Sequence, residues 1–187
     1  MIPIKLSLSG FISYRDPIEI DFSGLDLVCV SGQNGAGKSS LLDAITYALY
    51  GQARRRDEAI INHACQKAEV SLEFAYEHQI YRVTRSITRG KGSQVEFLMR
   101  TGDDAAPWKL LTERTLSETN AKIQRTLRLD YETFINASFF LQGKADMFAT
   151  QKPADRKRIL SSILGLDSWE DYRKRTAELI KLRQGDL

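Results

Sequence analysis

Apolar and polar residues alternate through Ile2, Ile4, Leu6 and Leu8, and again through Ile18, Ile20 and Phe22, which is the two-residue period of half-buried strands. These runs predict a pair of strands. The next run, Leu25 to Val30, is almost continuously apolar, the pattern of a strand covered on both faces, and it leads directly into Ser31 and Gly32. From Lys38 to Tyr50 the apolar residues Leu41, Leu42, Ile45, Ala48 and Leu49 recur at helical spacing, and Gly51 stands where a left-handed C-terminal cap is needed. Val70 to Tyr76, Tyr81 to Ile87 and Val95 to Met99 alternate once more, separated by Glu77-His78-Gln79 and Gly90-Lys91-Gly92. They predict an antiparallel meander over about 68–100.

Thr115-Leu116-Ser117-Glu118 has the form of a capping box ahead of Ile123 and Leu127, so a helix is expected there. Asp130 can cap another helix carrying Tyr131, Phe134 and Ile135. Phe139-Phe140-Leu141 reads as a short buried strand that stops at Gln142-Gly143, and Pro153 suits the first turn of a further helix ending near Gly165. Trp169, Tyr172, Thr176 and Leu179 fall on one stripe beside Ile180, with charged residues around it, as at the opening of a coiled coil.

Composition places the chain among globular proteins: of 187 residues 42% are hydrophobic and 27% charged, with only 4 prolines. Lys and Arg number 27 against 24 Asp and Glu, a net charge of +3, so the total lacks the excess of a strongly basic nucleic-acid domain. Cys29 and Cys65 lack CxxC spacing and read as reduced, structural thiols. The N-terminus has no signal-peptide core, and no apolar stretch is long enough to span a membrane. A cytoplasmic protein, nucleoid-associated in a bacterium, is expected.

The chemistry resides in Gly32-Gln33-Asn34-Gly35-Ala36-Gly37-Lys38-Ser39, which matches G-x-x-x-x-G-K-[ST] at every fixed position and lies between a predicted strand and a predicted helix. Glycines let such a loop curl until backbone N–H groups, here from about Gly35 to Ser40, point at phosphates, and the helix dipole adds to the attraction. Lys38 would reach the β and γ phosphates of ATP. The Ser39 hydroxyl would bind Mg²⁺, whose remaining ligands are phosphate and water. No run of four apolar residues followed by an acidic residue comes after this loop, so the Walker B carboxylate needed for hydrolysis is missing from the sequence.

With that absence, Gln33 to Ile45, the preceding Leu8 to Tyr14 and the following Ala48-Leu49-Tyr50-Gly51 resemble the N-terminal head segment of SMC-like ATPases, most closely the SbcC type of double-strand-break repair. Later segments agree: Ala68 to Phe74, Tyr81 to Arg85, Phe134 to Ala137, Phe139 to Gly143 and Ile163 to Leu166. The resemblance implies an α/β fold of the P-loop NTPase, ABC-type head class: a central sheet around the P-loop strand, a flanking antiparallel sheet, residues 1–165 as the head segment and 166–187 as the coiled-coil base. It implies that Walker B, signature, D-loop and His-switch elements lie in a C-terminal half, that heads form a homodimer on ATP binding, and that a nuclease subunit and double-stranded DNA, bound without sequence specificity, are partners. By the same resemblance Gln142 is the Q-loop glutamine touching Mg²⁺ or the attacking water, and Asn62, His63 and Ala64 contact the adenine end. Gly32, Asn34, Gly35, Ala36, Gly37, Lys38, Ser39 and Ser40 would hold the triphosphate.

Several positions carry a plainer reading beside the functional one. A polar turn between helix and meander explains Asn62 to Ala64 as well. Relatives often have a basic residue where this chain has Ile12, and Arg15 is a neighbouring substitute. The Arg54-Arg55-Arg56 run suits DNA phosphates or a nucleotide across the dimer, but also a solvated surface, as do Lys174, Arg175, Lys181 and Arg183. His63 and His78 have no second ligand at metal-binding spacing. Other heads, of chromosome-organising SMC, RecF-like or RecN-like proteins, share the pattern. A self-contained P-loop kinase or GTPase fits less well, because the only Asp-x-x-Gly, Asp21 to Gly24, precedes the loop and no Asn-Lys-x-Asp follows. A module that binds ATP without hydrolysing it is a third alternative.

Overall fold

The computed structural model describes residues 1–101, 106–138, 152–163 and 167–185, and the chain divides into two units, Met1–Arg128 and Leu129–Leu187. The first is built on one antiparallel sheet of six strands, β1 (Ile2–Ser9), β2 (Ile18–Asp21), β3 (Lys67–Tyr76), β4 (Gln79–Thr88), β5 (Gly92–Thr101) and β6 (Lys109–Leu110), in the order β2-β1-β3-β4-β5-β6. The predicted strand pair and meander are therefore both present, joined through β1 and β3.

Register puts the alternating apolar residues on one face. Leu6 lies opposite Leu72, Leu72 opposite Val83, and Val83 opposite Phe97, and all four are fully buried. Phe74, Tyr81 and Phe97 stack across three strands with ring centroids 5.5 and 5.6 Å apart. Burying each such side chain is worth about 2–3 kcal/mol. The other face is a polar ladder in which Ser71 shares a hydrogen bond with Thr84, Arg82 pairs with Glu73, and Arg82 and Arg100 both lie over Trp108.

Helices α1 (Lys38–Tyr50) and α2 (Leu116–Leu127) cover the apolar face. α1 begins and ends where its sequence predicts. Gly51 closes it in the left-handed region, φ 69°, donating its N–H to the carbonyl of Tyr47. At the start of α2, the Thr115 hydroxyl accepts from the Glu118 N–H while the Glu118 carboxylate accepts from the Thr115 N–H, so the capping box forms as read.

The strand expected over Leu25 to Val30 does not form. That segment is irregular, with Leu27 89% exposed and Leu25, Val28 and Val30 also open to solvent. An apolar strand covered on both faces needs neighbours at both edges and layers above and below. β1 is paired on both sides, by β2 and β3, and among the described residues no strand pairs with this run or covers it. Cys29, placed by sequence inside this strand, is exposed with it.

The described residues of the second unit form helices α3 (Tyr131–Ser138), α4 (Pro153–Ile163) and α5 (Asp167–Gly185), with α3 packed on α4. Asp130 caps α3 by accepting from the Thr133 N–H at 2.7 Å, and Pro153 opens α4. On α5, Trp169 and Tyr172 meet edge to face and are both exposed. The expected strand Phe139 to Leu141 and Gln142 lie outside the described residues. Among the described residues no helix is long and apolar enough to cross a membrane.

Candidate functional site

Residues Gly32 to Gly37 form a loop at the N-terminus of α1. Gly35 (φ 85°) and Gly37 (φ 92°) hold it in left-handed conformations that cost side-chain-bearing residues of order 1 kcal/mol or more. Gly37 is the N-cap of α1, yet no side chain caps the helix and its first turn contains no acidic residue. Neither the N-cap nor the first turn thus supplies an anion to the positive end of this 13-residue helix dipole. Lys38 turns its ammonium back onto the loop, donating to the carbonyls of Gly32 at 2.7 Å and Gln33 at 2.8 Å. Ser39 and Ser40 follow in the first turn, Ser39 half-buried and Ser40 buried.

A second loop, residues 10–15, packs against this one from the end of β1. Its Ser13 hydroxyl shares a 3.1 Å hydrogen bond with that of Ser40. A Cβ on Gly37 would come within 3.1 Å of the Ser13 Cβ and 3.2 Å of the Tyr14 ring, so the glycine also makes room for these side chains. Burial raises the Tyr14 phenol above its usual 10.0. At the base of the loop Phe11 is fully buried against the Tyr47 ring of α1, centroids 5.5 Å apart.

Beside the first turn of α1 opens a cleft of about 240 Å³ lined by Ile12, Ser13, Ser40, Asp43, Arg54 and Arg55. Asp43, on α1, is buried and accepts from Arg54 Nε at 2.7 Å and from the Arg54 backbone N–H at 3.3 Å. One member of the arginine run is therefore bound into the fold. Arg15 is exposed and only loosely paired with Asp16, at 3.9 Å.

The sequence-predicted residues thus divide. Gly32, Asn34, Gly35, Ala36, Gly37, Lys38, Ser39 and Ser40 are gathered at one helix terminus. Asn62 is buried while His63 and Ala64 are exposed, and the Asn62 side chain bonds to the 10–15 loop and its own turn, donating to the Ile12 carbonyl and accepting from the Ala64 N–H. Among the described residues no group of histidine, cysteine and acidic side chains is arranged to hold a metal, and His63 and His78 are both exposed. Ser13 and Tyr14 were not foreseen as site residues, because their contacts with Ser40 and Gly37 join segments far apart in the sequence.

Known proteins resemble the chain in sequence and in fold. The chain is 32% identical over 186 residues to the SbcC component of the SbcCD nuclease of Deinococcus radiodurans, covering 97% of this chain and 20% of that protein. It is 32% identical over 191 residues to a probable DNA double-strand break repair Rad50 ATPase of Aquifex aeolicus, covering 99% of this chain and 19% of that one. It therefore spans about a fifth of the length of these relatives. In fold it resembles an SMC head bound to the C-terminal winged-helix domain of ScpA, with a TM-score of 0.65 and 24% identity over 95% of this chain and 56% of that one. An SMC ATPase studied for ATP-driven dimerization and DNA-stimulated activation superposes with a TM-score of 0.56 at 22% identity, over 87% of this chain and 99% of that one. The fold class is thus the α/β one expected, that of SMC ATPase heads. The model of a family described as the AAA domain matches residues 5–184, and the chain belongs to that family.

Proposed function

We propose that the chain is the nucleotide-binding N-terminal portion of an SMC-like ATPase that drives the processing of DNA double-strand breaks. The observation that carries this reading is the glycine loop at the uncapped start of α1, with Lys38 and Ser39 side by side behind it. ATP is the ligand: the loop amides and helix dipole receive the β and γ phosphates, and Lys38 exchanges its two loop carbonyls for phosphate oxygens. Ser39 would supply an oxygen to Mg²⁺, which when bound would offset the phosphate charge. By the family resemblance, Gln142 would take the Q-loop role.

Hydrolysis requires a further portion of protein that brings a Walker B carboxylate and a signature motif. The exposed apolar side chains of Leu25, Leu27, Val28 and Val30 support this, since water-exposed residues in a run of that composition are the surface a completing layer would cover. A second head docks when ATP is bound, a nuclease subunit works beside it, and double-stranded DNA is held through phosphates without sequence specificity. The site of action is the cytoplasm.

The test is ATP turnover measured for this chain alone and for it joined to the remainder of a relative-length protein. Turnover only in the joined form, stimulated by DNA, is expected. Turnover by this chain alone points to a self-contained kinase or GTPase, and none in either form points to a module that binds without hydrolysing.

A further inference from the structure

Asn62 contributes to nucleotide binding, we infer, as a positioning residue that latches the 10–15 loop against Gly37 and Ser40, and not by touching the adenine; the inference rests on the ATP site proposed above. Three hydrogen bonds place it. Its backbone N–H donates to the Gly10 carbonyl at 2.7 Å, its side-chain Nδ2 donates to the Ile12 carbonyl at 2.8 Å, and its Oδ1 accepts from the Ala64 N–H at 3.0 Å. The residue is 6% exposed. Its amide thus spends its oxygen and one of its N–H bonds inside the protein, which leaves little with which to read a base edge.

What Asn62 holds is a strained residue. Ile12 has φ 46°, a left-handed conformation in which a β-branched side chain is a clear outlier. Such conformations persist only when the surroundings fix them from several sides. Here the Ile12 N–H donates to the Ile60 carbonyl at 2.8 Å, and its carbonyl accepts from Asn62. That bend sends Ser13 and Tyr14 back over α1, where Ser13 meets the Ser40 hydroxyl and Tyr14 lies against Gly37. Releasing the Ile12 carbonyl lets the peptide relax out of the left-handed region, and both side chains then leave the glycine loop.

A latch and a base contact make opposite demands on the ligand. An adenine contact concerns only nucleotides, whereas a latch on the phosphate loop concerns any triphosphate. Equilibrium binding of Mg·ATP and of Mg·tripolyphosphate to the intact ATPase separates them, using the parent, Asn62→Ala and Asn62→Ser; the serine hydroxyl can still accept from the Ala64 N–H but is too short to reach the Ile12 carbonyl. Thermal melting of each variant shows that it is folded under the binding conditions. The expected result is a weakening of about five- to tenfold, the worth of one buried hydrogen bond, for both ligands and by the same factor. In a cycle with Ser13→Ala and Tyr14→Leu combined, the Asn62→Ala effect should largely disappear, because its target has gone. Weakening confined to ATP, no weakening of either ligand, or full additivity with the Ser13 and Tyr14 changes overturns the latch. A parent that binds neither ligand overturns the ATP site itself, and the latch with it.

Discussion

The Arg85 guanidinium on β4 donates a 2.6 Å hydrogen bond from Nε to the carbonyl oxygen of Ala48, in the last turn of α1. Its Nη2 reaches the Leu49 carbonyl at 3.2 Å and the Asn120 side-chain oxygen on α2 at 2.7 Å. Helix C-termini leave carbonyls without intrahelical partners and carry partial negative charge. A buried cation placed there satisfies both and ties the helix behind the glycine loop to β4 and α2. Desolvation lowers the Arg85 pKa from its ordinary value to about 10, so the side chain stays charged at neutral pH.

Arg85→Ala should destabilise the unit by about 2–4 kcal/mol, through the void it leaves and the carbonyls it orphans. Denaturant unfolding checks this, and a loss under about 1 kcal/mol would mean that water replaces the guanidinium without penalty. Arg85→Lys should recover only part, since one ammonium cannot serve three acceptors set around a planar fork. Because folding lowers this pKa, stability gains from Arg85 deprotonation appear only above about pH 10. The Arg85 contribution is therefore constant through neutral pH.

Gly10→Ala is expected to be among the most damaging single-methyl changes. Gly10 has φ 61°, and a Cβ there would overlap the backbone carbonyl oxygen of Lys67, which cannot swing away as a side chain would. Strain and overlap together should cost upwards of about 3 kcal/mol. Gly90→Ala, also at positive φ but with open space around its Cβ position, should cost only about 1 kcal/mol. Equal melting temperatures for the two variants would contradict the assignment.

Much of this fold was legible in the sequence because the deciding signals are local. Thr115 and Glu118 form their capping box from four consecutive residues, Asp130 caps α3, and Gly51 ends α1, each a statement about one turn of chain. The loop from Gly32 to Ser39 is equally local. Leu25 to Val30 misled in an instructive way: its composition encodes two-sided burial, but the layers that would bury it are not supplied by the described residues. Arg85 did carry a signal that went unread, since alternation places it with Val83 and Ile87 on the inward register, where a lone cation has to find acceptors. Ser13 and Tyr14 had none, because their contacts with Ser40 and Gly37 join distant segments, and the resemblance that singled out Asn62 could not show its bond to Ile12, 50 residues away.

Acid should weaken the first unit through its exposed carboxylates. Hydrogen bonding and attraction to Lys5 hold Glu19 below its ordinary 4.5, hydrogen bonding to Ser23 lowers Asp21, and hydrogen bonding to Lys122 lowers Glu113. A carboxylate depressed by folding contributes stability above its unfolded pKa and loses it as pH falls through the folded value. The melting temperature should therefore be level from about pH 8 to 5 and decline below about pH 4.5. Glu19→Gln should flatten part of that decline, as should high salt. A decline that begins at pH 6 would assign the titration to other groups.

Arg54→Ala should cost about 1–3 kcal/mol, because it leaves the Asp43 carboxylate, only 2% exposed, without its guanidinium partner. Arg55→Ala, a neighbour in the same run, serves as the control and should stay within about 0.5 kcal/mol. Chemical denaturation of both variants decides the matter, and matching losses would mean the run acts only as bulk surface charge.

The central claim is that the loop before α1 grips a triphosphate, and equilibrium binding of Mg·ATP to the intact ATPase, parent against Lys38→Ala, tests it most directly. Removing a charge-assisted phosphate contact of about 1.5–3 kcal/mol predicts affinity at least about tenfold weaker, in a variant that melts like the parent. Equal affinity for the two proteins would contradict it.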